Sequence, residues 1–351
     1  MMYFKYSLIF TVIGLILAAL LGFAYNGTVI GALQTMFIVA VLGVLEVSIS
    51  FDNAVVNATV LRNMTPLWRH RFLTWGIAIA VFGMRLVFPL LIVGIFAQLW
   101  PVEVIRLAAF HPTEYARILA SAHVVIAAFG GAFLAMVAMK YFFNAEKEIH
   151  WIRAVETPLV QIGRMEAVEL AVAMVGIYLI SRYLPLNERA EFLVAGLFGL
   201  VTYIIVDGIS GLMEVKEKTM ASVHRKSAAL FLYLEMLDAS FSFDGVIGAF
   251  ALTKNLFLIA IGLGIGAMFV RSLTIMLVEK GTLSTYRYLE HGAFYAIGAL
   301  AAIMFLGTFV NIPEVVTGFL SAGFIGLSLW SSIKYNHLCA APETFNEPGK
   351  D

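Results

Sequence analysis

The chain carries little charge and almost no sulfur-based chemistry. Only 13% of its 351 residues are Asp, Glu, Lys or Arg, whereas 61% are apolar, and soluble domains carry about 25% charged residues. So few charged side chains cannot cover the surface of a soluble protein, which excludes soluble enzymes. The formal net charge is zero, so a basic surface for nucleic acid is also excluded. The single cysteine, Cys339, excludes a disulfide framework and a thiolate metal cluster.

Long apolar segments follow one another along the whole chain. A bilayer core about 30 Å thick requires about 20 apolar residues per helix. We therefore predict an all-α polytopic membrane protein in contact with the lipid bilayer, with no soluble domain between its spans. Ten transmembrane helices are predicted at approximately 6–24, 31–61, 72–98, 116–143, 164–184, 190–212, 227–253, 255–279, 289–310 and 314–335.

The basic residues predict the orientation of these spans. With a cytoplasmic N-terminus, sixteen of the 23 Lys and Arg fall in cytoplasmic segments, two lie inside spans, and five fall in outside loops, namely Arg106, Arg117, Arg182, Arg189 and Lys254. This excess predicts that both termini are cytoplasmic. The default membrane is the bacterial inner (plasma) membrane. The first span also fits a cleaved signal peptide, although its length and its role as the counterpart of span six favour its retention.

Spans two and seven carry the same arrangement of acids. Span two reads Glu46-Val-Ser-Ile-Ser-Phe-Asp52-Asn53, and span seven reads Asp238-Ala-Ser-Phe-Ser-Phe-Asp244-Gly245. Five helices per unit place the second unit in the opposite orientation, so we predict two inverted repeats, 1–188 and 189–338, followed by a polar cytoplasmic tail, 339–351. Inverted repeats are typical of secondary transporters, which bind substrate near the membrane midplane.

Charged side chains inside the spans are the candidate functional residues. A charged Asp at a helix centre costs about 2.5–3.5 kcal/mol on insertion scales, so such acids are expected to face the interior and to be neutralised. The acids are Glu46, Asp52, Glu235, Asp238 and Asp244. Arg85 in span three and Arg271 in span eight are predicted to pair with Asp52 and Asp244 and to hold carboxylates in place rather than to contact a cation.

Helical geometry predicts a distortion in each acid-bearing span. Residues six apart differ by about 120° around a helix, so Glu46 and Asp52 diverge, whereas Glu46, Asn53 and Asn57 share a face. We predict an unwound turn near Ser50 and another near Ser242, which would release carbonyl oxygens as ligands. In span three, Pro89 cannot donate a hydrogen bond four residues back, so a kink is predicted at Arg85.

The chemistry of these side chains suits a hard divalent cation. Oxygen ligands favour Mn²⁺, Mg²⁺ or Ca²⁺, and histidine nitrogen would move the preference toward Mn²⁺. The candidate metal ligands are Glu46, Asp52, Asn53, Asp238 and Asp244, with Asn57, Glu235, His123 and His291 as possible additional ligands. Because each histidine lies near the end of its span, a packing role is the simpler interpretation for both.

The two acid-bearing helices resemble the paired motifs of the TerC family of integral membrane proteins. In that family one helix carries Glu-x5-Asp-Asn and its repeat carries Glu-x2-Asp-x5-Asp-Ser. The corresponding residues here are Glu46, Asp52 and Asn53, then Glu235, Asp238, Asp244 and Gly245. Glycine in place of the last serine, together with the extended loop from Arg62 to Arg71, makes the chain similar to the DUF475 group of that family.

The resemblance implies an efflux protein for a manganese-type cation, in a family named for tellurium resistance. It carries over Glu46, Asp52, Asp238 and Asp244 as ligands and Asn53 as a neutral partner. Tellurite itself fits poorly, because an oxyanion would be repelled by a negative site.

Three functions remain open. The first is a secondary exporter of a divalent cation, most favourably Mn²⁺, with Ca²⁺ or Mg²⁺ as alternatives and no tightly bound cofactor. The second is a non-transporting membrane scaffold in metal or tellurium stress response, whose protein partners the sequence does not identify. The third is an exporter of small organic cations or amino acids. Enzyme activity is not expected, because His-Glu-x-x-His and Gly-x-Ser-x-Gly patterns are missing from the sequence.

Overall fold

The fold of the chain is all-α. A computed structural model describes residues 3–165, 167–212, 220–310 and 312–340, and these residues form helices and no strand. Eight helices of the described part are long and apolar enough to cross a membrane. The predicted class, an all-α polytopic membrane protein, is therefore confirmed.

Sixteen α-helices and one π-helix make up the described residues. They are α1 (Lys5–Asn26), α2 (Val29–Ile49), α3 (Phe51–Leu61), α4 (Pro66–Ala78), the π-helix (Ile79–Val87), α5 (Phe88–Ala97), α6 (Pro101–Phe110), α7 (Pro112–Ser121), α8 (His123–Phe142), α9 (Arg153–Ile162), α10 (Val168–Ser181), α11 (Leu186–Leu212), α12 (Met220–Leu252), α13 (Leu256–Glu279), α14 (Thr282–Thr285), α15 (Leu289–Gly307) and α16 (Glu314–Ala340).

Each of the ten predicted spans has a helical counterpart, but two counterparts are not among the eight. Helix α10 has 14 residues, or about 21 Å at 1.5 Å per residue, which is shorter than a bilayer core. Helix α12 has 33 residues and is long enough, but its intramembrane acids lower its hydropathy. The start of the predicted tail, Cys339, lies inside α16, and residues 341–351 lie outside the described residues.

The acid-bearing helices are surrounded by other helices. Helix α2 packs along α1 and α13, α3 packs against α13 and α15, and α12 contacts the π-helix, α8 and α11. Helix α8 lies between α11 and α15, and α15 also packs against α16. The first helix of each predicted repeat is placed differently, since α1 packs on α2 and α13 whereas α11 packs mainly on α8. The inverted repeat and its boundaries stay a prediction.

Ser50 interrupts the second span, as predicted. Helix α2 ends at Ile49 and α3 begins at Phe51, with Ser50 at φ −94° and ψ 20° between them. The Ser50 hydroxyl donates to Glu46 Oε1 at 3.1 Å, which stabilises the turn. The prediction for Ser242 was wrong, because α12 runs unbroken through it. The Ser242 hydroxyl is buried without a hydrogen-bond partner, so no comparable bond supports a turn there.

Candidate functional site

A small cavity lies among the acid-bearing helices. Its lining includes Glu46, Asn53, Asn57, Asp238 and Arg85, so the face that helical geometry predicted for α2 and α3 does border one space. The volume open to the centre of a water molecule is about 10 Å³. Such a volume holds about one water molecule or one ion. We call this space the central cavity.

Glu46 and Arg85 form a buried ion pair beside the central cavity. The two side chains are 2% and 3% exposed, and Arg85 Nη2 donates to Glu46 Oε1. Arg85 lies on the π-helix, and its Nη1 also donates to the carbonyl of Ala80. Pro89 had predicted a distortion at Arg85, and the structure shows it as a π-helix over Ile79–Val87.

Arg271 on α13 is the second buried arginine that lines the central cavity. Its guanidinium donates from Nη1 to the carbonyl of Phe72 and lies 4.0 Å above the Phe72 ring centroid. Its Nη2 lies 4.0 Å from Glu235 Oε1. Gly76 permits this approach, since a Cβ atom there would stand 2.6 Å from Arg271 Nη1. Arg271 is therefore held by α4 and by one acid of α12.

Arg85 does not pair with the acid predicted for it, and the predicted pair of Arg271 with Asp244 is not tested. Arg85 pairs with Glu46 rather than with Asp52, because the break at Ser50 and the 120° rotation turn Asp52 away. Arg271 pairs with Glu235, and no pairing can be assigned to Asp244, whose side chain lies outside the described residues. Both arginines therefore lie beside carboxylates, as expected, but the carboxylates are those of Glu46 and Glu235.

Several buried oxygen atoms near the central cavity have no hydrogen-bond partner. They belong to two side chains that line the cavity and two that lie elsewhere on α12: Asn57 Oδ1, Asp238 Oδ2, both carboxylate oxygens of Glu235, and Ser242 Oγ. Buried polar atoms are almost always hydrogen-bonded, so such a group indicates a missing partner. For the amide oxygen and the ionised carboxylate oxygens the partner must be a hydrogen-bond donor or a cation, because these atoms only accept, whereas the Ser242 hydroxyl can also donate.

Asp52 borders a second cavity. This space has about 20 Å³ open to the centre of a water molecule, and Thr317 of α16 and Leu300 of α15 also line it. Asp52 Oδ1 accepts from the backbone N–H of Asn53 at 3.0 Å, and the buried Ser321 of α16 lies close to this carboxyl group. We call this space the Asp52 cavity. Ser50 and Asn53 line it and the central cavity alike.

The two candidate histidines lie away from both cavities. His123 lines a much larger opening near Gly307. His291 Nε2 lies 2.8 Å from the carbonyl oxygen of Ile149 and 3.5 Å from Glu156 Oε2. The structure therefore does not bring either histidine to the acids, in keeping with their positions near the ends of the predicted spans.

Glycines bring the neighbouring helices close to Glu46. A Cβ atom at Gly266 of α13 would stand 2.4 Å from Glu46 Cβ, and one at Gly245 of α12 would stand 3.1 Å from Glu46 Oε2. The glycine that distinguishes this chain from the Asp-Ser motif thus faces the carboxylate oxygen that Arg85 leaves free. A serine hydroxyl there would compete for the space beside Glu46.

Across the described residues, no group of three or more His, Cys, Asp or Glu side chains could hold a metal ion. The four described acids outnumber Arg85 and Arg271 by two, which leaves charge for one divalent cation or for protons. Asp238, Asn57 and the Ser50–Asn53 turn are the groups that could contact it.

Sequence reasoning missed two features of the site. The first is the pair Thr317 and Ser321 on α16, far from the acid motifs; only their spacing of four residues within an apolar span could have placed them on one face. The π-helix was the other, because Pro89 predicts a distortion but not its form.

The comparisons with known proteins give a family without an activity. No curated protein and no solved structure matches the chain. A family model described as "Protein of unknown function (DUF475)" matches residues 51–339. This match begins after Glu46, includes Asp52, the acids of α12 and both arginines, and covers well over half of the sequence. The chain therefore belongs to the DUF475 family.

Proposed function

We propose that the protein is a secondary membrane transporter that exports a divalent metal cation of the Mn²⁺ type. The observation that carries the proposal is the set of unpartnered buried oxygens, Asp238 Oδ2 and Asn57 Oδ1, on a cavity of ionic size inside an apolar helix bundle. A buried carboxylate is unfavourable without a counter-charge. A cation bound in the cavity would supply it.

The chemistry of the cavity favours a hard metal ion. Carboxylate and amide oxygens are ligands that Mn²⁺, Mg²⁺ and Ca²⁺ prefer. A space of about 10 Å³ is too small for an amino acid or an organic cation. The resemblance to the TerC motifs points the same way, toward manganese-type efflux.

Protons provide the simplest means of release. When Asp238 binds a proton it loses the negative charge that holds a cation, so protonation and cation binding exclude each other. Arg85 holds Glu46 by a hydrogen bond, and Arg271 lies 4.0 Å from Glu235. No ion pair within the described residues holds Asp238 or Asp52, so these two are the acids that would exchange a cation for protons. We assign proton coupling to these two.

Transport by the purified protein tests the proposal. A pH gradient of either sign would be imposed across the membrane of proteoliposomes that contain the purified protein. Uptake of Mn²⁺ and Ca²⁺ would then be measured for the wild type, Asp238→Asn and Asn57→Ala. We expect wild-type Mn²⁺ flux and at least a tenfold loss in both variants. The matched control is Glu169→Gln, which removes an acid of α10 that lies 3.5 Å from Lys140, away from the cavity.

Two results would overturn the proposal. One is a wild-type protein that moves neither ion under a gradient of either sign. The other is an Asp238→Asn variant that transports like the wild type. If cells carrying Asp238→Asn also kept full metal or tellurite tolerance, the non-transporting scaffold would be favoured.

A further inference from the structure

A wide vestibule opens on one face of the bundle. It has about 820 Å³ open to the centre of a water molecule. Its wall is formed by the ends of α7, α12 and α15 and by the start of α16, and it includes Arg117, His123, Lys254, Gly307 and Thr317. The loops that carry Arg117 and Lys254 are those predicted to lie outside the cell.

Shared residues place the vestibule and the two small cavities in a row. Thr317 is the one residue common to the linings of the vestibule and the Asp52 cavity, and Ser50 and Asn53 are common to the linings of the Asp52 cavity and the central cavity. Thr317 is 8% exposed. It is therefore the wall between a space wide enough for a hydrated ion and one that holds about one water molecule.

We infer that the vestibule is the outer mouth of the transport path and that Thr317 separates it from the acids. On this path Asp52 is the outer station and the central cavity, with Asp238 and Asn57, is the inner station. The Thr317 hydroxyl replaces part of the hydration shell as the ion passes. This inference rests on the proposed transport function, which supplies the reason for a path.

The charge of the vestibule suits release. Its basic side chains are Arg117, His123 and Lys254, and no acid is among its lining residues in the described part of the chain. Arg117 is offset by Glu114, which lies 2.6 Å away, whereas no acid among the described residues pairs with Lys254, whose ammonium donates to the carbonyl of Phe250 at 2.8 Å. A cation that passes Thr317 leaves a negative region for a positive one and is favoured to leave.

Accessibility of a single cysteine tests the path. Because Cys339 is the one cysteine of the sequence, a Cys339→Ser background accepts Thr317→Cys, Lys254→Cys and Ser328→Cys one at a time. Each full-length variant would be treated with a membrane-impermeant sulfonate methanethiosulfonate in right-side-out and in inverted membrane vesicles. Ser328 is the matched control, because it is a fully buried hydroxyl residue of the same helix that lines none of these spaces.

The expected result is labelling of Thr317→Cys from the same side as Lys254→Cys, at least tenfold faster than labelling of Ser328→Cys. The Lys254→Cys variant defines the vestibule side whatever the orientation of the chain. Equal labelling of the Thr317 and Ser328 positions, or none at Thr317 while Lys254→Cys reacts, would overturn the path.

The two proposals fail separately in this design. Labelling reports access to Thr317 even if the wild type moves no metal ion in proteoliposomes. Where transport is present, modified Thr317→Cys should lose at least tenfold of its flux, and treated Ser328→Cys should keep its own.

Discussion

At the scale of single residues, the chain separates acids that are fixed from acids that are free to bind. Glu46 is fixed by Arg85 and by the Ser50 hydroxyl. Asp238 lacks such a bond on Oδ2. The sequence predicted that these acids would be neutralised, but it assigned Arg85 to Asp52, whereas the structure pairs Arg85 with Glu46. The partner of an arginine depends on which helix packs beside it, and that contact joins residues far apart in the sequence.

The Glu46–Arg85 pair makes a prediction about stability. Arg85→Gln leaves a buried carboxylate without its counter-charge, which should lower the free energy of unfolding by about 3–5 kcal/mol. The double variant Glu46→Gln/Arg85→Gln removes both charges and should recover part of this loss. Reversible unfolding in mixed micelles, followed by far-ultraviolet circular dichroism, measures both. A double variant less stable than Arg85→Gln would argue against the pair.

At the scale of helices, Gly266 allows α13 to approach α2 closely beside Glu46. A Cβ atom at Gly266 would meet Glu46 Cβ at 2.4 Å and the carbonyl of Gly43 at 2.9 Å. Gly266→Ala should therefore push the helices apart and cost about 1–3 kcal/mol of stability. Gly323→Ala is the matched control, since nothing lies within 4 Å of its Cβ position. Equal unfolding midpoints for the two variants would contradict this account of the packing.

The segment between α8 and α10 is held by a buried acid. Glu156 is fully buried and accepts from Lys147 Nζ at 2.9 Å and from the backbone N–H of Ile152 at 3.1 Å. Tyr295 of α15 donates to the same carboxylate at 3.3 Å. These bonds connect α9 and the loop before it to the N-terminal part of α15. The sequence did not single out Glu156, because nothing in its local pattern distinguishes it from a solvent-exposed acid.

Glu156 makes the stability of this segment depend on pH. Burial raises the pKa of Glu156, but the bonds from Lys147 and Ile152 outweigh burial and hold the pKa below its usual 4.5. A lowered pKa in the folded state stabilises the fold above about pH 4.5 and is lost as the pH falls through the folded value. The wild type should therefore lose its advantage over Glu156→Gln as the pH is lowered from neutrality through about 4.5 and below. A constant difference between the two unfolding curves over that range would contradict the assignment.

At the scale of the whole molecule, composition and hydropathy were sufficient to predict an all-α membrane protein. The helix count was harder, because α10 is short and α12 carries acids that lower its hydropathy. The row of spaces from the vestibule to Asp238 could not be predicted. It combines residues of α7, α12, α15 and α16 that lie far apart in the sequence and share no motif.

The basic vestibule makes a prediction about capture of cations from that side. Lys254→Glu reverses one charge near the mouth, which should strengthen apparent binding of external Mn²⁺ by about three- to tenfold at low ionic strength and less at high salt. Arg106→Glu is the control, because it makes the same change on α6 outside the vestibule lining. Half-saturation for uptake from the vestibule side measures the effect. Equal shifts in the two variants would mean that general surface charge, rather than the vestibule, is responsible.

The basic vestibule also affects the proposed export once the exported ion has accumulated outside. A mouth that repels divalent cations keeps the local concentration of exported ion below that of the surrounding solution. Re-occupation of Asp52 from outside is then rare, so back-flux and product inhibition stay small. Export by such a protein would continue at nearly full rate in a medium already rich in the ion that it removes.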